Sequence, residues 1–192
     1  MIVPRLPGTL QPTRVVAGLI TGCLLTVGVA LADDSPEAFG WVQKADIKPW
    51  DIKVKAKLDS GALTSSLDAR DIEPFEQDGE DWVRFRFELQ DEDSGETVTR
   101  EVERPLFRTL AVRGAGGRDE RPVVLLNLCI GDTVYEEQFS LRDRSDMLYP
   151  ALLGRRTIRH LGYLNVDSTF THDAECGEDA DFVAHEPGDD AE

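Results

Sequence analysis

The sequence predicts an all-β domain with one short helix near its C-terminal end. Three observations carry that reading. Residues 52–58 and 82–89 alternate apolar and charged side chains with the period of two that marks a half-buried strand. Residues 122–130 run almost continuously apolar, as a central strand does. Turn dipeptides (Asp78-Gly79, Ser94-Gly95 and Gly131-Asp132) punctuate these runs at short intervals.

Taken in order, Ile52-Lys53-Val54-Lys55-Ala56-Lys57-Leu58 puts its apolar residues on one face and its lysines on the other. After Asp78-Gly79, Val83, Phe85, Phe87 and Leu89 form an apolar face opposite Arg84, Arg86 and Glu88. Ser94-Gly95 turns the chain towards Val98 and Val102. The run from Pro122 to Ile130 then passes through Gly131-Asp132, a two-residue hairpin connection, into Thr133–Leu141. The helix is read over about Arg155–Leu161 and ends near Gly162. Many short strands with one helix imply a small closed or sandwich-like β fold.

The ends of the chain read differently. Residues 1–14 hold Arg5 and Arg14 without an acid, Val15–Ala32 carries no charge, and Ala30-Leu31-Ala32 has the form of a cleavage site. Residues 1–32 therefore read as a secretory signal peptide, with an uncleaved membrane anchor as the alternative. A lipoprotein-like Ile20-Thr21-Gly22-Cys23 has too little apolar sequence before it and too much after it. Residues 33–39 read as a linker and 40–170 as the domain. Residues 171–192 read as an acidic, disordered tail, with nine acids and no Lys or Arg from Asp173 onward. An EF-hand spacing is missing from it.

The 192 residues carry a net charge of −16, which becomes −18 once the two arginines of the leader are removed. Such a chain repels nucleic acid phosphates and anionic membrane surfaces. Contact with a membrane is expected only through an uncleaved leader, and the place of action is the periplasm or another exported compartment. Export permits a disulfide between Cys129 and Cys176. Their unlike surroundings, an apolar run and a polar tail, favour two unpaired cysteines instead.

The chemistry centres on Asp59-Ser60-Gly61-Ala62 at the end of the first alternating run. A carboxylate on a tight strand-to-loop turn is half of an aspartic peptidase site, because amide hydrolysis by carboxylates needs a pair sharing one proton. Ser60 is expected to fix the turn by hydrogen bonding, and Gly61 to let the backbone approach substrate. Leu152-Leu153-Gly154-Arg155 supplies the second signature: leucines packing beneath the turn and a glycine permitting a close crossing. The other copy of the tripeptide, Asp93-Ser94-Gly95, lacks an apolar strand before it and reads as an ordinary hairpin turn. One good copy per chain implies a symmetric homodimer with Asp59 contributed by each subunit.

Several stretches together resemble a known family. They are Lys57-Leu58-Asp59-Ser60-Gly61-Ala62-Leu63-Thr64-Ser65-Ser66-Leu67-Asp68-Ala69, Glu73-Pro74-Phe75, Trp82-Val83-Arg84-Phe85, Arg121-Pro122-Val123-Val124, Asp143-Arg144-Ser145-Asp146-Met147 and Leu152-Leu153-Gly154-Arg155. The resemblance is to the retropepsin-like aspartic peptidases of bacteria, often labelled "putative ATP-dependent zinc protease", and spans about Gly40 to Asp167. It implies a retropepsin-like closed β-barrel (the acid protease fold, single lobe) with Asp59 in the catalytic position. It also implies, by association with glutamate ligases, acidic or glutamyl peptides as substrates.

The label's cofactors find no support in the residues. A Gly-x-x-x-x-Gly-Lys-Ser/Thr loop is absent, and Gly114-Ala115-Gly116-Gly117 reads equally as a loop over a cleft or a surface turn. His160, His172 and His185 are too far apart for a helical zinc pair and read as surface or cap histidines. No cofactor and no metal are expected. Six arginines between Arg100 and Arg121 offer carboxylate-binding groups, Arg113 and Arg118 being the named candidates. The competing reading pairs them with neighbouring acids on a solvated surface. Two function classes follow: an exported aspartic endopeptidase, or a non-catalytic module that holds peptides or an envelope protein on the same barrel.

Overall fold

The computed structural model describes residues 37–114 and 117–186, the side chains of 113 and 114 excepted. The segment read as a leader and the last six residues lie outside the described residues. Among the described residues no helix is long and apolar enough to cross a membrane.

The first hairpin sets the core. Strands β2 (Val42–Lys48) and β3 (Ile52–Leu58) pair antiparallel, with Ala45 opposite Val54. Along β3 the apolar residues Ile52, Val54, Ala56 and Leu58 are buried and the lysines half-exposed, the division read from the alternation. β4 (Ser65–Asp68), β9 (Gly117–Ile130), β10 (Thr133–Arg142) and β11 (Ala151–Leu153) join them in the order β10-β4-β11-β3-β2-β9. A long β9–β10 antiparallel ladder, from Ile130↔Thr133 to Val123↔Ser140, closes these six strands on themselves. β8 (Arg108–Gly114) extends this sheet at β9, and β13 (Asp181–Val183) extends it at β10.

A second sheet, β5-β6-β7 (Arg70–Gln77, Glu80–Gln90 and Thr97–Pro105), covers part of this core. Val83, Phe85, Phe87 and Leu89 of β6 are fully buried in the common apolar core. Each such side chain contributes roughly 1.5–3 kcal/mol by leaving water. On the outer face Arg84 reaches Glu103 at 2.7 Å and Arg86 reaches Asp71 at 2.7 Å. Among the described residues the architecture is all-β with one helix, α1 (Arg155–Leu161), as the sequence predicts. A separate covering sheet makes it more than a plain barrel.

Two readings of the chain ends are corrected. Residues 38 and 39 of the expected linker belong to β1 (Ala38–Gly40), a parallel partner of β12 (Tyr163–Asn165). The described part of the acidic tail is fastened to the domain: Cys176 is disulfide-bonded to Cys129, against the reading of two unpaired cysteines, and β13 pairs with β10. Composition misjudged this segment because its anchors are not apolar periodicity. They are one covalent bond and backbone hydrogen bonds, such as Glu175 N donating to Gly131 O at 2.7 Å.

Candidate active site

Asp59 follows β3 directly, where the neighbouring strand fixes its backbone. Asp59 N donates to Leu153 O of β11 at 2.8 Å, and Ala62 N donates back to Asp59 O at 3.1 Å, closing the turn. The carboxylate is held from two sides. Its Oδ1 accepts from Gly61 N at 2.9 Å, and its Oδ2 lies 3.2 Å from Lys57 Nζ. Burial pushes the Asp59 carboxyl upward in pKa. The Gly61 amide, the Lys57 ammonium and the Ala62 amide outweigh it and hold the group below its ordinary value. In a single chain Asp59 is therefore an ionised acceptor, 29% exposed at its side chain.

Ser60 acts otherwise than expected. Its hydroxyl makes no hydrogen bond among the described residues; its carbonyl accepts from Arg155 Nη1 at 2.8 Å. Gly61 is needed for space beside the acid, since a Cβ there would meet Asp59 Oδ1 at 3.0 Å.

The Leu-Leu-Gly segment braces the turn from below. Leu153 is fully buried in β11, while Leu152 faces a cleft. Gly154 lies so close to the loop that a Cβ would come within 2.6 Å of Leu63 O and 2.8 Å of Thr64 C. Arg155 N donates to Ala62 O at 2.9 Å and Arg156 N to Leu63 O at 3.2 Å, fastening the start of α1 to the loop.

A buried polar chain, invisible in the sequence pattern, stands behind this brace. Gly154 N donates to Ser65 Oγ (3.0 Å), which lies 2.7 Å from Thr157 Oγ1, which in turn donates to Glu137 Oε2 at 3.0 Å. The other oxygen of Glu137 is 2.6 Å from His160 Nδ1. His160 is thus not a plain surface histidine, and the signal for its role is only tertiary. His172 stacks on Phe39 and His185 packs edge-on against Phe107. Among the described residues no group of three or more His, Cys, Asp and Glu could hold a metal.

Beside the turn opens a cavity of about 500 Å³. Ala62, Leu63 and Thr64 form one wall and Leu110 and Val112 of β8 another, and five arginines line it: Arg108, Arg121, Arg142, Arg144 and Arg156. Among the described residues no carboxylate belongs to the lining. Arg108 and Arg156 both donate to Thr64 Oγ1, at 3.0 and 2.8 Å. Buried Arg144 bonds Tyr149 O through its guanidinium, and burial lowers the pKa of that group from its ordinary value. Strands β8 and β9 border this cavity through Leu110, Val112 and Arg121, whereas the β6–β7 hairpin belongs to the other sheet.

The named arginines need revision. Arg118 pairs with Glu120 at 2.7 Å and does not line the cavity; the side chain of Arg113 lies outside the described residues. Spacing along the chain missed Arg142, Arg144 and Arg156, which fold in from β10, the following loop and α1. A separate cavity of about 470 Å³ among Lys48, Arg104, Phe107 and Asn127 contains no residue of the Asp59 turn.

Comparison with known proteins meets this geometry at its centre. The family model described as retropepsin-like aspartic endopeptidase RimB matches residues 38–175, from β1 to just before the disulfide cysteine. The chain belongs to this RimB-like family. Proteins called "probable alpha-L-glutamate ligase" from Shewanella pealeana and Parasynechococcus marenigrum are 30% and 34% identical over 118 and 120 residues. Those matches cover 61% and 62% of this chain and 25% of each relative, so the chain spans about a quarter of their length. A crystal structure of a Legionella pneumophila protein with unknown function superposes with a TM-score of 0.60 at 33% identity. It covers 71% of this chain and 98% of that one. The retropepsin-like reading of the 57–69 and 152–155 motifs therefore holds, while the relatives carry a ligase name rather than a zinc protease one.

Proposed function

We propose that the protein is an exported aspartic endopeptidase, acting as a symmetric homodimer on acidic or glutamyl peptides. The observation that carries the peptidase reading is the Asp59 carboxylate, presented at a turn that Leu153 and Gly154 brace from beneath. Two such turns facing each other across a two-fold axis bring two carboxylates together, and repulsion then leaves one proton shared between them. The ionised member takes a proton from water as the water oxygen bonds to the scissile carbonyl carbon. The protonated member gives its proton to the carbonyl oxygen. The tetrahedral adduct collapses as the amide nitrogen takes up a proton and leaves as an amine. Neither metal nor nucleotide enters the scheme.

Three further features support the finer parts. Five arginines lining the adjoining cavity suit carboxylate side chains of a substrate. The ligase name of the relatives makes glutamyl peptides a natural choice. The disulfide fits an oxidising compartment, with membrane contact only through an uncleaved leader.

Subunit mixing tests the proposal. The purified protein is expected to cleave glutamate-rich fluorogenic peptides with or without EDTA, and Asp59→Asn to abolish cleavage. Equal amounts of parent and Asp59→Asn, allowed to exchange, should show about a quarter of the activity of the same total amount of parent, against about half without exchange, because both carboxylates are needed. Cleavage by Asp59→Asn at the parental rate overturns the mechanism. Peptide binding without cleavage by a monomer favours the non-catalytic module, a reading to which the Lys57–Asp59 ion pair of the single chain lends itself.

A further inference from the structure

Most polar groups that line the arginine-rich cavity are spoken for within the chain. Thr64 Oγ1 accepts from Arg108 and Arg156, and Ser140 Oγ donates to Ser65 O at 2.9 Å. Arg121 Nε reaches Asp119 at 2.6 Å, and the Arg144 guanidinium donates to Tyr149 O. Ser66 is the exception. It is only 5% exposed, and its hydroxyl makes no hydrogen bond among the described residues. A buried hydroxyl left unpaired is destabilising, so its retention asks for a partner from outside the chain.

Strand geometry aims that hydroxyl at the cavity. Along β4, Ser65 joins the polar chain beneath the turn and Leu67 the core, so Ser66 takes the opposite face. In register with Ser66 stand Ser140 of β10 and Leu152 of β11, both in the cavity lining. Arg142 follows Ser140 on the same face of β10. Its guanidinium makes one long bond, from Nε to Asp143 O at 3.3 Å, and no ion pair among the described residues. The Asp143 carboxylate feels the Arg142 charge but is tied to Ser145 N and Oγ, at 2.9 and 2.6 Å. Burial lowers the pKa of Arg144, the Arg142 and Arg121 guanidinia lower it further, and Asp68 and Asp59 oppose them. Arg144 therefore lies within the field of an arginine cluster and of the Asp59 carboxylate at once. A carboxylate received there relieves the repulsion and gives Ser66 its acceptor.

We infer that Ser66 and Arg142 form the subsite that takes a carboxylate side chain of the peptide beside the Asp59 turn. Ser66 donates its O–H to a carboxylate oxygen, and Arg142 supplies the charge that prefers a carboxylate to an amide. The inference rests on the reading of the cavity as the substrate cleft and deepens it, because it singles out two residues from the lining. Ser66 is a specificity residue here, without a part in holding the fold.

The test uses full-length protein carrying Asp59→Asn, so that no probe is cleaved, with fluorescein-labelled hexaglutamate and hexaglutamine read by anisotropy. Adding Ser66→Ala should weaken hexaglutamate about tenfold, the loss of one hydrogen bond to a charged group. It should leave the thermal midpoint of the peptide-free protein unchanged or higher, since the hydroxyl gives up no internal partner. Arg142→Gln should also weaken hexaglutamate about tenfold and flatten its salt dependence. Arg118→Gln removes the same charge outside the cavity and should change affinity less than twofold. Hexaglutamate affinity within twofold after Ser66→Ala, or a midpoint lowered by several degrees without peptide, overturns the subsite and leaves the acidic-substrate reading standing. Hexaglutamine bound as tightly as hexaglutamate before either change sinks the acidic-substrate reading itself, and the subsite with it.

Discussion

Two Asp-Ser-Gly tripeptides occur in this chain, and they do different physical work. At Asp59-Ser60-Gly61 the aspartate itself accepts from the glycine amide, behind a buried strand and above the Leu153-Gly154 brace. At Asp93-Ser94-Gly95 the turn is tied by Asp91, whose Oδ1 accepts from both Ser94 N and Ser94 Oγ, while Asp93 reaches out to Lys53 at 2.7 Å. The glycines differ too. Gly95 has φ +73° and open space around it, so it serves a backbone conformation; Gly61 serves the closeness of a carboxylate. Identical letters acquire their meaning from what packs beneath them.

The largest expected effect separates the two aspartates. Asp59→Asn should lower peptide cleavage by about 10³-fold or more, as removal of an acid–base group does. Asp93→Asn, exposed on a hairpin, should leave the rate within about twofold. Equal losses from both substitutions, measured as kcat/KM on one peptide, would erase the distinction.

The glycines give the next effect. Gly154→Ala must push Leu63 and Thr64 backbone away from a Cβ, and should cost about 3 kcal/mol in urea denaturation. Gly95→Ala meets no atom within 4 Å and should cost only about 1 kcal/mol, from its positive φ. A Gly154→Ala protein as stable as the parent would show that the loop is not pinned from below.

This contrast also marks what could be read before folding. The strand at 52–58, the Phe85–Phe87 face and the helix at 155–161 were legible because each is a local period or a local stop signal. The Asp59 turn and its Gly154 brace were legible as motifs. Of the cavity's arginines, Arg108 and Arg121 fall in the cluster read between Arg100 and Arg121, but Arg142, Arg144 and Arg156 were not legible, because they converge on it from other elements far apart in sequence. Glu137 and His160 were hidden for the same reason, and the disulfide because Cys176 sits in a segment without apolar pattern.

The smallest effect concerns protons. Hydrogen bonds from Ser94 N, Ser94 Oγ and Lys53 N hold the Asp91 carboxyl below its ordinary value. Its stabilisation is therefore present above the unfolded pKa of about 3.9 and is lost as pH falls through the folded one. Asp91→Asn should cost about 1 kcal/mol at pH 7, a difference that shrinks in acid. Asp59 behaves likewise in an isolated chain, where Gly61 and Lys57 overcome burial and favour the ionised form. Across a dimer the sign reverses for one member, because a second carboxylate raises its pKa and the repulsion destabilises the pair as pH rises past that value. Asp59→Asn should then make the dimer more stable than the parent at pH 7, while Asp91→Asn makes it less so. Denaturation curves for both variants at pH 4 and pH 7 decide the matter: loss of stability from both at pH 7 means that Asp59 faces no second carboxylate.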